Sequence, residues 1–254
     1  MKKNNLKTKQ NRRFEFGENW THFLETINEE NIGVAEASLK LMLEIETLQG
    51  KSFLDIGSGS GLFSLAAKRL GAKVYSFDYD SKSVACTLEL KRQYFPNDNN
   101  WVIEEGSVLD NNYLNKLKQF DIVYSWGVLH HTGNMWQAIR NIGSLVDKDG
   151  KLFISIYNDQ GGQSKRWRKL KFIYNSLPNY FKSTFVILIM GPLEIKYIIQ
   201  SIIRGTFMQY INNIKNYKIH SKRGMSYWHD IVDWVGGYPF EVAKPEEVSN
   251  TITN

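Results

Sequence analysis

Three groups of residues in this chain have the types and spacing to do chemistry. The first is Asp55, followed at alternate positions by Gly57, Gly59 and Gly61, with Ser58 and Ser60 between them. Phe53, Leu54 and Ile56 read as a short buried strand around Asp55. The glycines let the backbone turn tightly without side chains, and Leu62–Leu70 carries helical apolar spacing. A strand, turn and helix of this kind is expected to aim backbone N–H groups and a positive helix end at a ligand above the strand's carboxyl end. The second group is Asp78, 21 residues after Gly57 at the end of a strand-like run from Lys73. That spacing suits a carboxylate accepting hydrogen bonds from both hydroxyls of a ribose. The third is the adjacent pair His130 and His131, ring bases suited to taking a proton from an acceptor. A further cluster, His229 with Asp230 and Asp233, lies towards the end of the chain.

Small differences decide which nucleotide the glycine turn suits. The dinucleotide fingerprint requires glycine at position 62, where this chain has Leu62, so the fit to NAD is poor. An acid at the strand's last turn can reach an ammonium group lying across the glycines, whereas it would repel a pyrophosphate. An amino-acid-bearing nucleoside explains the carboxylate. In this form the motif resembles the first motif of the class I S-adenosylmethionine-dependent methyltransferases, and the likeness covers about residues 16 to 159.

The resemblance implies S-adenosylmethionine as cofactor and a Rossmann-like methyltransferase fold. It places the segment around Trp20 near the cofactor as a lid, beside a residue-level reading of Trp20 as core packing. It sets the residues after the third strand beside the adenine: Ser107, Val108 or Asp110, the last of which reads equally well as a helix cap. The donor-site candidates are then Trp20, Asp55, Gly57, Ser58, Gly59, Gly61, Asp78, Tyr79, Ser107, Val108 and Trp126. The segments from Val128 to Trp136 and from Asp233 to Glu247 are similar to a bacterial subgroup grouped with ubiquinone-biosynthesis O-methyltransferases.

The elements that must position these residues can be read in order. Phe16–Ile27 and Val34–Leu48 have helical apolar spacing. Strands follow at Phe53–Ile56, Lys73–Asp78, Trp101–Glu105, Phe120–Ser125 and Lys151–Asp159, with helices between them, the one after Asp78 capped by Ser81. Regular alternation of strand and helix predicts α/β architecture, a doubly wound, mainly parallel sheet. His130 and His131 then fall on the loop after the fourth strand, beside the point where such a sheet reverses direction. The family's sixth and seventh strands are not evident, so the fifth strand is expected either as an exposed edge or covered by the insertion that follows.

That insertion begins at Gly161. Lys165, Arg166, Arg168, Lys169 and Lys171 are interleaved with Trp167 and Leu170, and a long apolar stretch runs to Met208, interrupted by Glu194, Lys196 and Arg204. It reads as a helical cap on the substrate side. Its apolar faces either pack on each other or form an entrance for a lipid-like substrate at a membrane surface. No uninterrupted apolar run reaches the length of a membrane span. Arg223–Val248, dense in aromatics, reads either as aromatic core or as part of the substrate site.

With 42% hydrophobic content in 254 residues the chain can bury a large core, so the expected organisation is a basic disordered tail (1–15), a donor-binding domain (16–160) and a helical cap with substrate-side segment (161–254). Cys86 is the lone cysteine and reads as a small buried residue, which leaves no disulfide framework and no cysteine-rich metal site. No metal is expected, because adjacent histidines in one loop diverge. The net charge of +6 comes from Met1–Arg13, which holds six Lys and Arg and no acid. Such an arm is ordinarily solvated, and binding to RNA or anionic lipid is the competing use. With no export signal, the cytoplasm is the expected compartment.

The expected activity is O-methylation of a small or lipid-like hydroxylated acceptor, with His130 or His131 as base and His229 as second candidate. Peripheral membrane contact is compatible with this, and nucleic acid is a less favoured partner. The competing activities are methylation of RNA or of another nitrogen acceptor. A relative that binds S-adenosylmethionine without turning over is a further alternative.

Overall fold

A computed structural model describes residues 14, 17, 24, 27–217 and 226–253. Trp20, most of the first expected helix and the basic run 1–13 lie outside the described residues. Five strands, β1 (Ser52–Ile56), β2 (Lys73–Asp78), β3 (Trp101–Glu105), β4 (Phe120–Trp126) and β5 (Val146–Ser155), pair in the order β3-β2-β1-β4-β5, all parallel. The order reverses between β1 and β4, which is where an open α/β sheet binds ligands beyond its carboxyl ends. Parallel pairing requires crossovers, and α2 (Leu62–Arg69), α3 (Ser81–Tyr94), α4 (Asn111–Leu114) and α5 (Met135–Gly143) supply them, while α1 (Glu29–Leu43) precedes the sheet.

Side chains alternate along each strand, so one sequence supplies both faces. Phe53, Val74, Ile122 and Tyr124 face one side with Leu39 of α1, Leu65 and Ala66 of α2 and Leu90 of α3. Leu54, Ile56, Phe77 and Val123 face the other with Leu114 of α4 and with Met135, Ile139 and Ile142 of α5.

Several boundaries differ from the sequence reading for local reasons. α1 starts five residues early because the Asn28 side chain accepts a hydrogen bond from the Asn31 N–H, and it stops at Glu44, which takes a left-handed conformation. α3 is capped by Asp80 and not by Ser81: the Asp80 carboxylate accepts from the Lys82 N–H. β5 begins at Val146, opposite Phe120. Asp147–Gly150 loops out before pairing resumes at Lys151 opposite Ile122. β5 ends at Ser155, beyond which the chain makes one isolated parallel bridge, Asn158 to Ala243. Among the described residues no strand follows β5. The segment around Ala243 runs beside 157–159 instead, and α10 (Pro245–Thr253) comes after it, with Val248 packed in the second core cluster.

By packing, the chain divides into two units: Glu15–Gln160 with Phe240–Asn254, and Met1–Phe14 with Gly161–Pro239. The sequence reading grouped 161–254 together; the bridge at Ala243 sets the last residues in the sheet unit. The helical unit contains α6 (Gly162–Ser176), α7 (Asn179–Ile203), α8 (Phe207–Lys215) and α9 (Tyr227–Gly236) around a small core of Tyr174, Val186 and Val235. Lys165, Arg166, Arg168 and Lys169 of α6 are exposed, but Lys171 is buried. Its ammonium donates to the Trp234 carbonyl and lies over the Trp167 and Trp234 rings. Burial lowers its pKa to about 8, against the opposing effect of Asp233. α7 runs 25 residues through Pro192 without a break, and by length and composition it could cross a membrane.

At the amino ends of β1 and β4, the Asp121 carboxylate accepts from the Lys51 ammonium at 2.8 Å, the Ser52 N–H at 2.9 Å and the Ser52 hydroxyl at 2.7 Å. The Lys51 hydrogen bond, followed by those from Ser52, holds this carboxyl far below the usual carboxylate range. A depressed folded pKa contributes stability above the unfolded value near 3.8, and that contribution is lost as the pH falls. Asp121→Ala is therefore expected to cost about 1–2 kcal/mol at neutral pH, with the gap to wild type closing below about pH 4. Urea unfolding at a series of pH values measures both, and a gap independent of pH would refute the assignment.

Candidate active site

The loop after β1 is bent by glycines whose conformations other residues rarely adopt: φ is 76° at Gly57, 55° at Gly59 and 82° at Gly61. Two of them also sit where no side chain fits. A Cβ on Gly57 would come within 2.4 Å of a Val128 methyl, and one on Gly61 within 2.9 Å of the Thr87 backbone. The turn after β4 and helix α3 thus both press on the glycine loop. Ser58, nearly buried, shares a hydrogen bond of 3.0 Å with the Thr87 hydroxyl.

Four N–H groups of this loop are engaged by the protein itself. Gly57 and Ser58 donate to the Phe77 carbonyl at 2.8 and 3.3 Å, Gly59 to the Asp78 carboxylate at 3.0 Å, and Gly61 to the Ser58 carbonyl at 2.8 Å. The loop therefore does not aim those four N–H groups at a ligand. It offers a bed free of side chains, bordered by a carboxylate. A bed of that chemistry suits hydroxyls and a positive charge and disfavours a pyrophosphate.

The two carboxylates differ because of strand alternation. Asp55 shares a face with Phe53 and so points beneath α2, where it is 3% exposed and accepts from the Ser64 hydroxyl at 2.5 Å. With its proton committed to Asp55, the Ser64 hydroxyl accepts from Ser76 at 2.8 Å, and Ser76 accepts from the Trp101 indole at 3.0 Å. This buried chain ties β1, α2, β2 and β3 together. The sequence aimed Asp55 at a ligand's ammonium group; the structure places its carboxylate under the bed. Burial raises its pKa to about 7; the Ser64 hydrogen bond opposes this and the Asp78 charge adds to it.

Asp78 is half-buried at the end of β2. Its oxygens accept from the Gly59 and Asp80 N–H groups. Asp80 next to it accepts from the Gly17 N–H at 3.0 Å, which brings one residue of the segment around Trp20 to this end of the sheet. Trp20 itself lies outside the described residues. Tyr79 is exposed.

Beyond β3, the Ser107 hydroxyl accepts from the Leu109 N–H, and the Val108 carbonyl accepts from the Asn141 amide. Asp110 caps α4 by accepting from Asn112 and Tyr113, the cap reading of that residue. Trp126 remains in β4, half exposed, stacked on Phe63 at 5.5 Å and Phe153 at 5.9 Å; the strand is broken one residue later at Gly127, whose φ is 74°.

His130 and His131 form a short 3₁₀ turn, Leu129–His131, begun by Val128. Both are buried, at 2% and 8% exposure, with their rings 4.3 Å apart. Tyr157 packs on His130 at 4.1 Å and Phe240 packs on Tyr157. Glu241 binds the turn twice: its N–H donates to the His130 carbonyl at 2.9 Å, and its carboxylate accepts from the Met135 N–H at the start of α5 at 3.0 Å. Sequence reasoning missed Tyr157 and Glu241, and nothing local signals them, because Glu241 meets Met135 across 106 residues. It also missed Ser64, although the alternation of Phe53 and Asp55 would have found the face. His229 belongs to the helical unit, exposed at the start of α9, where its Nδ1 and the Ser226 hydroxyl are 2.6 Å apart.

Residues 24–190 match a family described as a methyltransferase domain. Ribosomal protein L11 methyltransferase of Prochlorococcus marinus is 36% identical over 121 residues, 43% of this chain and 40% of that protein. Ubiquinone biosynthesis O-methyltransferase of Coxiella burnetii is 30% identical over 120 residues, 47% of this chain and 49% of that protein. The chain thus spans half or less of the length of these curated relatives. Among solved structures, magnesium protoporphyrin IX methyltransferase from Synechocystis PCC 6803 with bound SAH superposes with a TM-score of 0.44 and 21% identity, covering 60% of this chain and 69% of that one.

The raised pKa of Asp55 has a measurable consequence. The unfolded carboxyl titrates near 3.8 and the folded one near 7. Between these values the folded state holds a proton that the unfolded state lacks, so the stability from this group falls as pH rises. Asp55→Asn, which mimics the protonated acid, is expected to match wild type near pH 4 and to exceed it by about 1–3 kcal/mol at pH 8. Thermal or urea unfolding across that range checks this, and parallel pH profiles for the two proteins would show that Asp55 titrates normally.

Proposed function

The chain belongs to the methyltransferase-domain family of S-adenosylmethionine-dependent enzymes, and on that premise we propose that it methylates the oxygen of a small or lipid-like hydroxylated acceptor. The observation that carries this reading is the contact of Val128 with Gly57. It sets the His130–His131 turn at the same carboxyl end of the sheet as the glycine bed and Asp78, so that a base and a donor site adjoin.

The donor site fits this chemistry. Gly57, Ser58, Gly59 and Gly61 would form the floor under the nucleoside, and the Asp78 carboxylate would accept from ribose hydroxyls. Tyr79, Ser107 and Val108 would flank the base, with Trp126 at the border. Asp55 supports the floor from beneath as a positioning residue, acting through Ser64. When bound, S-adenosylmethionine supplies an activated methyl group.

His130 and His131 have the proton to move. An unactivated hydroxyl is a weak nucleophile until its proton is taken up in the transition state, and an imidazole ring nitrogen is the suited acceptor near neutral pH. His131, the more exposed of the two, is the first candidate to touch the acceptor. His130, packed between His131 and Tyr157, fixes its ring. Their burial excludes water, which the transfer requires. His229 stands as the second candidate base. A nitrogen acceptor, RNA above all, is the competing substrate, and the observation in its favour is the exposed quartet Lys165, Arg166, Arg168 and Lys169.

Calorimetric titration with S-adenosylmethionine and S-adenosylhomocysteine, with NADH as control, is expected to show binding of the first two alone. Replacement of both His130 and His131 by Ala should lower turnover of phenolic or hydroxylated acceptors by about 10²-fold or more and leave donor affinity within about twofold. Unchanged turnover refutes the histidine assignment. Donor binding with no turnover of any acceptor supports a non-catalytic relative, and affinity for RNA that falls steeply with salt supports the competing substrate.

A further inference from the structure

α7 presents one face that its own unit does not cover. Phe181, Leu188, Ile195, Ile199 and Ile202 recur at intervals of seven, seven, four and three residues, which places them on one side of a helix, and each is at least half exposed. At about 1.5 Å per residue the 25-residue helix carries this stripe over some 37 Å. The helix is tied to its own unit at a few points: Val186 is fully buried against Tyr174 and Val235. Mid-helix Glu194 accepts from the Tyr210 hydroxyl at 2.7 Å and the Tyr227 hydroxyl at 2.6 Å. A helix anchored to its own unit through Val186 and Glu194, with an exposed apolar stripe bordered by Lys196, has the form of an interfacial helix.

The charge of the same unit names the surface the stripe meets. Residues 161–217 contain nine Lys and Arg against one acid, Glu194, and of the nine only Lys171 is buried. Lys196 borders the stripe on the helix itself. The basic run that ends at Arg13 joins this unit at Phe14, whose N–H donates to the Tyr238 carbonyl at 2.9 Å. A second copy of the chain on the same face would bring these cations against one another. A nucleic acid would pair the cations but leave the aliphatic stripe in water. We propose that the helical unit docks on the surface of an anionic lipid bilayer, with α7 lying in the interface, its stripe among the acyl chains and the exposed Lys and Arg of the unit on the headgroups.

Sedimentation of the full chain with vesicles tests this without any measure of turnover, so it stands or falls apart from the choice of acceptor. Vesicles of phosphatidylcholine with phosphatidylglycerol are expected to bind the chain at least tenfold more strongly than phosphatidylcholine alone, an advantage that high salt removes. The double variant Ile195→Asp, Ile199→Asp should weaken binding to anionic vesicles by about tenfold or more, with unchanged melting temperature and donor affinity. Arg166→Glu with Lys169→Glu should do likewise, at roughly fivefold per residue, and this pair keeps the test valid if the stripe variant misfolds. Absence of binding to anionic vesicles overturns the proposal, as does binding that neither variant weakens. It is equally overturned by a chain that ignores vesicles but forms a dimer that the stripe variant dissolves, or that ignores vesicles but retains RNA.

Discussion

The loop that follows β1 has to be bare. Val128 and Thr87 approach Gly57 and Gly61 to distances at which a Cβ would overlap them, and the same glycines hold backbone angles that an L side chain resists. Two larger elements depend on that bareness. α3 seats Thr87 on the loop, and the turn after β4 seats Val128 there, bringing His130 and His131 with it. A methyl group at Gly57 would have to push the histidine turn outward, and one at Gly61 would push α3. The N–H groups of Gly57, Ser58, Gly59 and Gly61 are used internally, by Phe77, Asp78 and Ser58, so these residues form a floor and not a donor nest. A floor of that kind, bordered by a carboxylate, suits hydroxyls and positive charge better than a phosphate.

The carboxylates at the ends of neighbouring strands illustrate how one residue type takes two roles. Asp78 lies half-buried at the end of β2. Asp55, one strand away, is turned under α2 by the alternation of the strand and satisfied by Ser64, at the end of a hydrogen-bond chain that begins at Trp101. Its burial and the nearby Asp78 charge both favour its protonated form. A positive ligand above the floor would offset that repulsion, which couples donor binding to the proton on Asp55 even though the carboxylate is not itself exposed.

The two units handle apolar surface differently. In the sheet unit both faces of β1 and β4 are covered, and strands and helices contribute buried residues on either side. In the helical unit the core is a few residues around Tyr174, Val186 and Val235, and most of the apolar side chains of α7 remain exposed. Soluble monomers seldom leave a contiguous aliphatic stripe of this length in water. Its basic neighbours give the exposure a chemical direction.

Much of this was legible before any coordinates. Strand, glycine turn and helix at Phe53–Leu70, the acid at Asp78 and the regular alternation that follows are local patterns, and local patterns survive folding because backbone geometry and side-chain period dictate them. β2 and β3 fall where the spacing put them, and the parallel sheet follows from the crossovers. What the sequence left open depends on residues far apart in the chain. That Asp55 lies under α2, that Glu241 fastens the histidine turn across 106 residues and that Ala243 runs beside the end of β5 are settled only when separate segments meet. The sequence by itself determined the family, the fold class and the donor chemistry. Tertiary structure alone decided which N–H groups are occupied, which Lys of the basic run turns inward and which face of α7 stays exposed, because each is the outcome of packing between elements and not of any spacing within one.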